Sequence, residues 1–353
     1  MKEKSLNELT QHDSKAIKGM AILFMVSLHL FCRRDNLPYN CILYIKNTPL
    51  VYYLGLWGDQ CVALYCFCAG YASYIKQEQC EKDIYVRHSV KRMVKLMINY
   101  WIVLILFCII GMITGKSAIM PGSVIKFISN FFLLSNSYNG AWWYMLTYML
   151  LMIISPVMYR IIKEKNNALV FAGTGALYFI SYLIRFDIVK VMSGGIIFDW
   201  LIRQGALVGT SLLPYVVGMI FKKNMFISQL RRLRKHFSKY EINLFTIVIF
   251  GICILTHGYE QSPIIAPIYA VVTICVFSLW QGKIKKLLKN IGEHSTNIWL
   301  THMFFYLFLF EGFIYKFKYP MIIYVVMLGL CLLVSYIINF LLVNIITRIK
   351  ILN

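Results

Sequence analysis

Long apolar runs separated by short charged segments make up most of this 353-residue sequence. An α-helix needs about 20 apolar residues to cross the hydrocarbon core of a bilayer. A further apolar piece, 124–134, is too short to span and indicates a re-entrant or interfacial segment. The runs that predict membrane-spanning helices are 16–32, 50–75, 92–114, 141–160, 168–184, 200–221, 243–256, 264–281, 291–311 and 320–346. We therefore expect an all-α, polytopic integral membrane protein with about ten transmembrane helices and a single domain over 1–353.

The distribution of lysine and arginine predicts how these helices are oriented. With the N-terminus in the cytoplasm, 26 Lys and Arg residues fall on the cytoplasmic side and 9 on the outer side, while Arg203 lies inside a helix. Cytoplasmic loops of membrane proteins carry an excess of these cations. The asymmetry predicts that both termini are cytoplasmic, and we expect a multi-pass protein of the plasma membrane. The longest outer segments are then 115–140 and 185–199.

The composition supports a membrane protein and argues against other classes. Hydrophobic residues make up 59% of the chain and charged residues only 14%, whereas soluble domains contain about 25% charged residues. A net charge of +21 would suggest nucleic-acid binding in a soluble protein, but no nucleic-acid motif is present. The cations lie between apolar runs, so we expect them to contact membrane lipids. The ten cysteines lack metal-finger spacing, and we predict no metal site.

Four ionisable residues within the predicted spans are candidates for function: His29, Asp59, His302 and Arg203. A charged side chain at the bilayer centre costs roughly 2.5–3.5 kcal/mol on insertion scales, so such residues usually serve a function. Asp59 is expected either to orient an imidazole or to form a separate pair, for example with Arg203. His302 is compatible with a second catalytic group, a substrate-binding group or a packing residue.

The run KGMAILFMVSLH begins at Lys18 and ends at His29. Eleven steps along a helix give three turns plus about 20°, so the two side chains share one face and lie about 16 Å apart along the axis. The predicted orientation puts Lys18 at the cytoplasmic edge and His29 in the outer half. A lysine at such an edge commonly extends to the head groups, whereas a histidine within a span favours a functional role.

Two further polar groups have less specific interpretations. His257 and Glu260 fall in the predicted outer loop THGYEQS, where a solvated loop is favoured over contact with a substrate. The segment RHSVKRMVK places Arg87 and Lys91 in one helical row and Arg92 in the next. Such a row suits a phosphate-rich ligand or anionic lipid head groups, and lipid is the commoner partner.

Five blocks of sequence, taken in order, resemble those of membrane-bound acyltransferases of family 3. The first block is KGMAILFMVSLH, matched at Lys18 and His29, although the family usually has arginine at the first of these positions. The second is YCFCAGYASY, matched at Tyr65, Gly70 and Tyr71, although Cys66 replaces an aromatic residue and Ala69 replaces the family's serine. The third is RHSVKRMVKLMINYW, matched at Arg87 and Arg92. The last two are WWYMLTYMLLMIISP, with Trp143 thirteen residues before Pro156, and IGEHSTNIWLTH, matched at Gly292, Ser295, Leu300 and His302.

This resemblance implies an O-acyltransferase that moves an acetyl group from acetyl-CoA to a hydroxyl of a cell-surface carbohydrate or glycan intermediate. His29 would act as general base or carry the acyl group. The implied site residues are His29, Asp59 and His302 for catalysis, Lys18, Arg87 and Arg92 for the CoA donor, and Trp143, Tyr144 and Ser295 for the substrate. Lipids and small molecules stay open as acceptors. Two other functions are compatible with generic spans and buried charges: a transporter or flippase for a glycan or small polar solute, and a non-catalytic scaffold.

Overall fold

The structure is a computed structural model that describes residues 8–187 and 194–348. Part of the predicted outer segment 185–199, namely 188–193, lies outside the described residues, as do the cations among residues 1–7 and 349–353. Among the described residues, the chain is mostly helical and its only sheet is a pair of two-residue strands. Strands β1 (Tyr44–Ile45) and β2 (Thr48–Pro49) pair antiparallel, with Tyr44 opposite Pro49. The all-α prediction is confirmed.

The described residues form fifteen α-helices. They are α1 (Gln11–Phe31), α2 (Leu50–Leu56), α3 (Cys61–Gln79), α4 (Lys82–Ile113), α5 (Val124–Phe131), α6 (Trp143–Glu164), α7 (Asn167–Phe186), α8 (Ile196–Lys223), α9 (Phe226–Leu233), α10 (Lys239–Glu260), α11 (Ala266–Leu279), α12 (Ile284–Glu293), α13 (Ser295–Met303), α14 (Glu311–Tyr315) and α15 (Pro320–Arg348). The 3₁₀ segments are Trp57–Gln60, Gly140–Trp142, Arg234–His236 and Pro263–Ile265, and a π-helix, Phe304–Phe308, follows α13.

Side-chain caps fix where several helices begin. The hydroxyl of Ser238 accepts a hydrogen bond from the backbone N–H of Glu241, whose carboxylate accepts from the N–H of Ser238, so α10 starts with a capping box. Asn166 accepts from the N–H of Ala168 before α7. Each cap satisfies N–H groups that the first helical turn leaves without partners.

Seven helices are long and apolar enough to cross a membrane, within the described part of the chain. They are Gln11–Phe31, Lys82–Ile113, Gly140–Glu164, Asn167–Phe186, Ile196–Lys223, Lys239–Glu260 and Pro320–Arg348. A polytopic helical membrane protein is therefore supported, while the number of ten spans and the cytoplasmic termini stay predictions. The short apolar piece 124–134 forms the eight-residue helix α5.

The remaining three predicted spans fold differently from a single long helix. Run 50–75 is divided into α2, a 3₁₀ turn and α3, and run 291–311 is divided among α12, α13, the π-helix and α14. Run 264–281 yields only the 14-residue α11. At the first break, a Cβ added to Gly58 would lie 2.1 Å from the carbonyl oxygen of Phe24. Only glycine allows the turn to approach the backbone of α1 so closely.

The chain divides into two compact units, each held together by contacts within itself. Unit 1 contains the described residues up to 21, together with 59–85 and 147–292. Unit 2 contains 22–58, 86–146 and the described residues from 293 onward. The single transmembrane domain stays a prediction.

In unit 1, α3 packs along α8, and α8 also packs along α7. A Cβ added to Gly70 on α3 would lie 1.9 Å from the carbonyl oxygen of Tyr215 on α8. Small residues at such crossings let two backbones approach closely, which is how helices gain packing energy when lipid replaces water. Gly70 is therefore one of the points where these two helices approach most closely.

A buried cluster of hydroxyl groups also joins helices of unit 1. The Ser155 hydroxyl lies 2.9 Å from the hydroxyl of Tyr215, 3.0 Å from that of Tyr85 and 3.0 Å from the amide nitrogen of Gln77. Ser73 also bonds to Ser155. These groups satisfy one another, as polar groups in an apolar interior must.

Carboxylates of unit 1 hold several cations of the predicted cytoplasmic segments. The carboxylate of Asp13 lies 2.8 Å from the guanidinium of Arg231 and 3.3 Å from the ammonium of Lys285. Burial lowers the pKa of Lys285, and the charge of Asp13 opposes this shift. Lys222 pairs with Glu8 at 2.7 Å. These three cations are therefore bound within the protein.

In unit 2, α13 packs along α15. The amide nitrogen of Asn297 on α13 donates to Ser335 Oγ at 3.0 Å and to Asn339 Oδ1 at 2.9 Å on α15. Its amide oxygen accepts from Asn99 on α4 at 2.7 Å. This polar seam fixes the rotation of α13, because turning the helix would leave buried amide groups unsatisfied.

The Gly70 contact predicts a stability difference between two glycine substitutions. Gly70→Ala should lower the free energy of unfolding by about 1–3 kcal/mol, because the added methyl group overlaps the α8 backbone. Gly175→Ala in α7 is the matched control, since no atom lies within 4 Å of the added Cβ there. It should be neutral or stabilise by up to about 1 kcal/mol. Thermal unfolding of both variants in detergent tests this, and equal melting temperatures would contradict the close contact.

Candidate active site

Two histidines from distant parts of the sequence meet in unit 2. Nδ1 of His29, near the end of α1, lies 2.7 Å from Nε2 of His302 on α13. The imidazole rings are nearly parallel, with centroids 4.9 Å apart. His302 is completely buried, whereas His29 stays partly exposed. The contact joins two of the three predicted catalytic residues.

The hydrogen bonds of the other nitrogen of His302, Nδ1, determine which of the two histidines donates the proton in this contact. His302 Nδ1 lies 2.9 Å from the carbonyl oxygen of Trp299 and 3.2 Å from that of Ile298. Carbonyl oxygens only accept hydrogen bonds, so Nδ1 must carry a proton and donate it. In the neutral ring, Nε2 then has a free lone pair and is the acceptor of the contact with His29.

The same reasoning fixes the state of His29. Its Nδ1 must be the donor in the 2.7 Å contact, because His302 Nε2 has no proton to give. A neutral His29 ring has one proton only, and Nδ1 already holds it. Nε2 of His29 therefore carries an unshared lone pair on the partly exposed ring. An imidazole nitrogen in this state can accept a proton or attack an electrophilic carbon.

The backbone next to His302 is held by side chains from the segment before α6. The carbonyl oxygen of Leu300 accepts hydrogen bonds from Trp142 Nε1 and from Asn139 Nδ2, both at 3.0 Å. Trp299 Nε1 in turn donates to the carbonyl oxygen of Ala141 at 2.9 Å. Three side-chain bonds thus lock the turn of α13 that carries His302.

The π-helix explains why the Leu300 carbonyl is available. In a continued α-helix, the N–H of Phe304 would donate to Leu300. Here the N–H of Phe304 points to the carbonyls of Thr301 and His302, and the N–H of Leu309 closes a wider turn onto Phe304 at 2.8 Å. The change of helix type frees one carbonyl beside His302, and Trp142 and Asn139 satisfy it. Such π-helical turns often occur at functional sites.

The end of α1 that carries His29 is also fixed by contacts within unit 2. The hydroxyl of Tyr324 on α15 donates to the carbonyl oxygen of Leu23 at 2.8 Å. The ring of Trp57 packs edge-on against Phe24, with centroids 6.4 Å apart, next to the close approach of Gly58. These contacts position α1 one to two turns before His29.

Asp59, the third predicted catalytic residue, belongs to unit 1 and pairs there with His257. Asp59 Oδ2 lies 2.9 Å from His257 Nε2, and His257 is buried against the ring of Tyr269. The separate pair that the sequence left open thus involves His257 and not Arg203. The prediction of His257 in a solvated loop is wrong, because α10 extends to Glu260 and encloses this imidazole. The apolar run ended too early to show this extra turn.

The three residues predicted to bind the CoA donor do not all lie in the same unit. Lys18 lies on α1 within unit 1, and its carbonyl oxygen accepts a hydrogen bond from Tyr65 at 3.2 Å. Arg87 and Arg92 are exposed on α4 in unit 2. Their predicted role as ligands of the CoA phosphates stays a prediction, as does that of Lys18.

The predicted substrate residues lie around α13 in unit 2. The ring of Tyr144 is buried and packs edge-on against Trp299, with centroids 6.0 Å apart. Trp143 is partly exposed, and Ser295 is buried at the first position of α13. Their contact with a substrate stays a prediction. The roles of Asn139 and Trp142 could not be predicted from the sequence, since their partner carbonyl is freed only by the π-helix.

Comparison with known proteins identifies the family of this chain. Neither the curated proteins nor the solved structures contain a match to the chain. A family model described as an acyltransferase domain, that of acyltransferase family 3, matches residues 12–340 and so covers nearly the whole chain. This range includes both histidines and the segment that positions them. The protein therefore belongs to acyltransferase family 3 and is a membrane acyltransferase.

Proposed function

We propose that this acyltransferase moves an acetyl group from acetyl-CoA to a hydroxyl of a cell-surface carbohydrate or glycan intermediate, with His29 at the reacting centre. The observation that carries this proposal is the lone pair on Nε2 of His29, which the hydrogen bond to His302 leaves free. Acyl transfer to a hydroxyl requires a base for the hydroxyl proton, and a neutral imidazole provides one. The family assignment favours this function over transport.

In the direct route, Nε2 of His29 takes the proton of the acceptor hydroxyl while the hydroxyl oxygen attacks the thioester carbonyl carbon. The tetrahedral intermediate then breaks its carbon–sulfur bond, and His29 returns the proton to the CoA sulfur. The products are the acetyl ester and CoA thiol. His302 accepts a hydrogen bond from Nδ1 of His29 throughout, so the ring keeps its orientation as it gains charge.

In the two-step route, Nε2 of His29 attacks the thioester carbon itself. The carbon–sulfur bond breaks, CoA leaves as its thiolate and takes a proton from water, and the ring is left as an acetyl-imidazolium. The acceptor hydroxyl then attacks the acetyl carbon, the carbon–nitrogen bond breaks, and the hydroxyl proton passes to water, which restores the neutral ring. Both routes require the same lone pair and the same orientation of the ring. The two-step route fits a donor that arrives from the cytoplasm and an acceptor at the outer face of the plasma membrane, because the charge distribution predicts Lys18 at the cytoplasmic edge and His29 in the outer half.

Removing the base while keeping its hydrogen bond tests this proposal. His29→Asn offers an amide N–H to His302 but has no lone pair on nitrogen. The rate of acetyl transfer from radiolabelled acetyl-CoA should fall by about 10²–10⁴-fold. His236→Asn, at an exposed histidine of unit 1, should keep the wild-type rate.

Both variants are compared in vesicles after their melting temperatures show normal folding. Wild-type acetyl transfer by folded His29→Asn would refute the proposal. Rapid quenching without acceptor separates the two routes. Label recovered on the His29 peptide supports the acetyl-histidine. Its absence, in a preparation that turns over rapidly once acceptor is added, supports the direct route.

The anchor at Leu300 predicts a second effect on catalysis. Trp142→Phe keeps the aromatic packing but removes one of the two donors to the Leu300 carbonyl. The turnover number should fall by about tenfold, because His302 and hence His29 lose part of their positioning. Trp101→Phe is the matched control, since Trp101 Nε1 also donates to a carbonyl, that of Phe131, at 3.0 Å. Equal turnover of the two variants would show that the anchor is only structural.

A further inference from the structure

Three buried tyrosines of unit 2 lie beyond the histidine pair. Tyr306 follows His302 by four residues, and the two rings are nearly parallel with centroids 6.2 Å apart. The ring of Tyr315 on α14 lies 6.4 Å from that of Tyr39 in the segment after α1. The hydroxyl of Tyr39 donates to the carbonyl oxygen of Phe31 at 3.4 Å, two residues after the reacting histidine. The tyrosines therefore form a group next to the reacting centre.

The hydroxyl group of Tyr315 has no hydrogen-bond partner among the described residues, although it is buried. Burial raises the pKa of Tyr315 to about 12, so the phenol keeps its proton at neutral pH and remains a donor. A buried donor without an acceptor costs free energy, and such groups in native proteins need an explanation. A ligand oxygen that accepts this proton would provide one.

A cation lies close to this hydroxyl along the chain of ring contacts. The ring of Phe31 is 5.5 Å from that of Tyr39, and the Tyr39 ring is 6.4 Å from that of Tyr315. Arg33 follows the end of α1 at Phe31, is half-buried, and lowers the pKa of Tyr315 against the effect of burial. No hydrogen bond or ion pair to the Arg33 guanidinium occurs in the described ranges 8–187 and 194–348. A guanidinium beside a phenolic donor is suited to an anion, because both groups offer protons and carboxylate or phosphate oxygens accept them.

The segments of chain around Arg33 and Tyr315 contain more basic than acidic residues. Segments 32–49 and 309–319 are joined by a hydrogen bond from the N–H of Asn40 to the carbonyl of Lys318 at 2.7 Å. Lys116 of segment 114–123 donates to the carbonyl of Leu309 at 2.9 Å. Together the three segments contain six Lys and Arg residues and two acidic ones, Asp35 and Glu311. Only nine Lys and Arg residues are assigned to the outer side, and six of them lie in these three segments, so the outer positive charge is concentrated here.

Building on the proposed acetyl transfer, we infer that Arg33 and Tyr315 bind the acceptor and that the acceptor is anionic. It is a polyol or glycan whose reacting hydroxyl lies near a carboxylate or phosphate group. The Arg33 guanidinium pairs with the anion, and the Tyr315 hydroxyl donates to a neighbouring acceptor oxygen. The reacting hydroxyl then reaches Nε2 of His29. Because the Tyr315 hydroxyl is buried, this inference requires a local shift of the five-residue helix α14 when the ligand binds.

Paired acceptors that differ only in charge test this inference with the full chain in vesicles. One pair is an oligosaccharide of glucuronic acid and the same oligosaccharide reduced to glucose units. The other is a glycerol phosphate oligomer and glycerol. Wild-type protein should bind one anionic member at least about tenfold more tightly than its neutral counterpart, as a charge-assisted contact predicts. Binding is measured by fluorescence titration without acetyl-CoA, and the KM for each acceptor is measured during transfer.

Variants of Arg33 and Tyr315 then test whether these two residues cause the preference for an anionic acceptor. Arg33→Gln should remove the charge preference and Arg33→Lys should keep most of it, both with an unchanged KM for acetyl-CoA. Arg34→Gln is the matched control, because the neighbouring arginine donates instead to the hydroxyl of Tyr52 at 3.0 Å. Tyr315→Phe should weaken acceptor binding by about threefold or more, as expected for the loss of one hydrogen bond.

Two results would overturn the inference: equal binding of charged and neutral acceptors by wild-type protein, or a preference that survives Arg33→Gln. A dependence on Arg33 seen only with phosphatidylglycerol vesicles, and not with the soluble anions, would also overturn it in favour of a lipid site. Failure here is distinct from failure of the proposed function. If acetyl transfer depends on His29 but shows no charge preference, only this inference is wrong. If transfer does not depend on His29, the proposed function is wrong.

Discussion

A neutral imidazole has one proton for two nitrogens, and this constraint determines what the site in unit 2 can do. The carbonyls of Trp299 and Ile298 require the proton of His302 on Nδ1. The 2.7 Å contact then requires the proton of His29 on its own Nδ1. Each step follows from what the neighbouring atom is able to accept. The result is one available lone pair, on Nε2 of His29, and no carboxylate is needed to create it.

This arrangement depends on a helix that changes its geometry directly after His302. A regular α-helix would use one of the two lone pairs of the Leu300 carbonyl internally and would leave only one for the two donors, Trp142 and Asn139. The π-helix turns that carbonyl outward, so side chains from another segment can fix the backbone beside the imidazole. In an apolar surrounding, freed backbone groups need protein partners, since no water replaces them. The same requirement explains why the irregular backbone of this region is enclosed by tryptophan and asparagine donors.

Much of the helical architecture could be predicted from apolar runs, because length and hydropathy alone determine what can cross a bilayer. Helix breaks could not, since Gly58 and the π-helix depend on neighbours that are distant in sequence. His29 and His302 were found because ionisable groups are rare inside spans. Their meeting could not be predicted, because no residue spacing links positions 273 apart. That Asp59 needs a partner follows from its place in a predicted span. Its partner, His257, could not be predicted, because the apolar run 243–256 ends one turn before the helix does.

The family explains the type of reaction, whereas the geometry explains why His29 suits the role of the reacting histidine. The most direct test of this account is the protonation pattern of the two rings, measured by NMR on protein labelled with ¹⁵N-histidine at neutral pH. His29→Asn and His302→Gln spectra assign the signals. The account predicts a proton on Nδ1 and an unprotonated Nε2 for both histidines, with a coupling or cross-peak that reports the hydrogen bond between them. A proton on Nε2 of His29, with Nδ1 unprotonated, would contradict it.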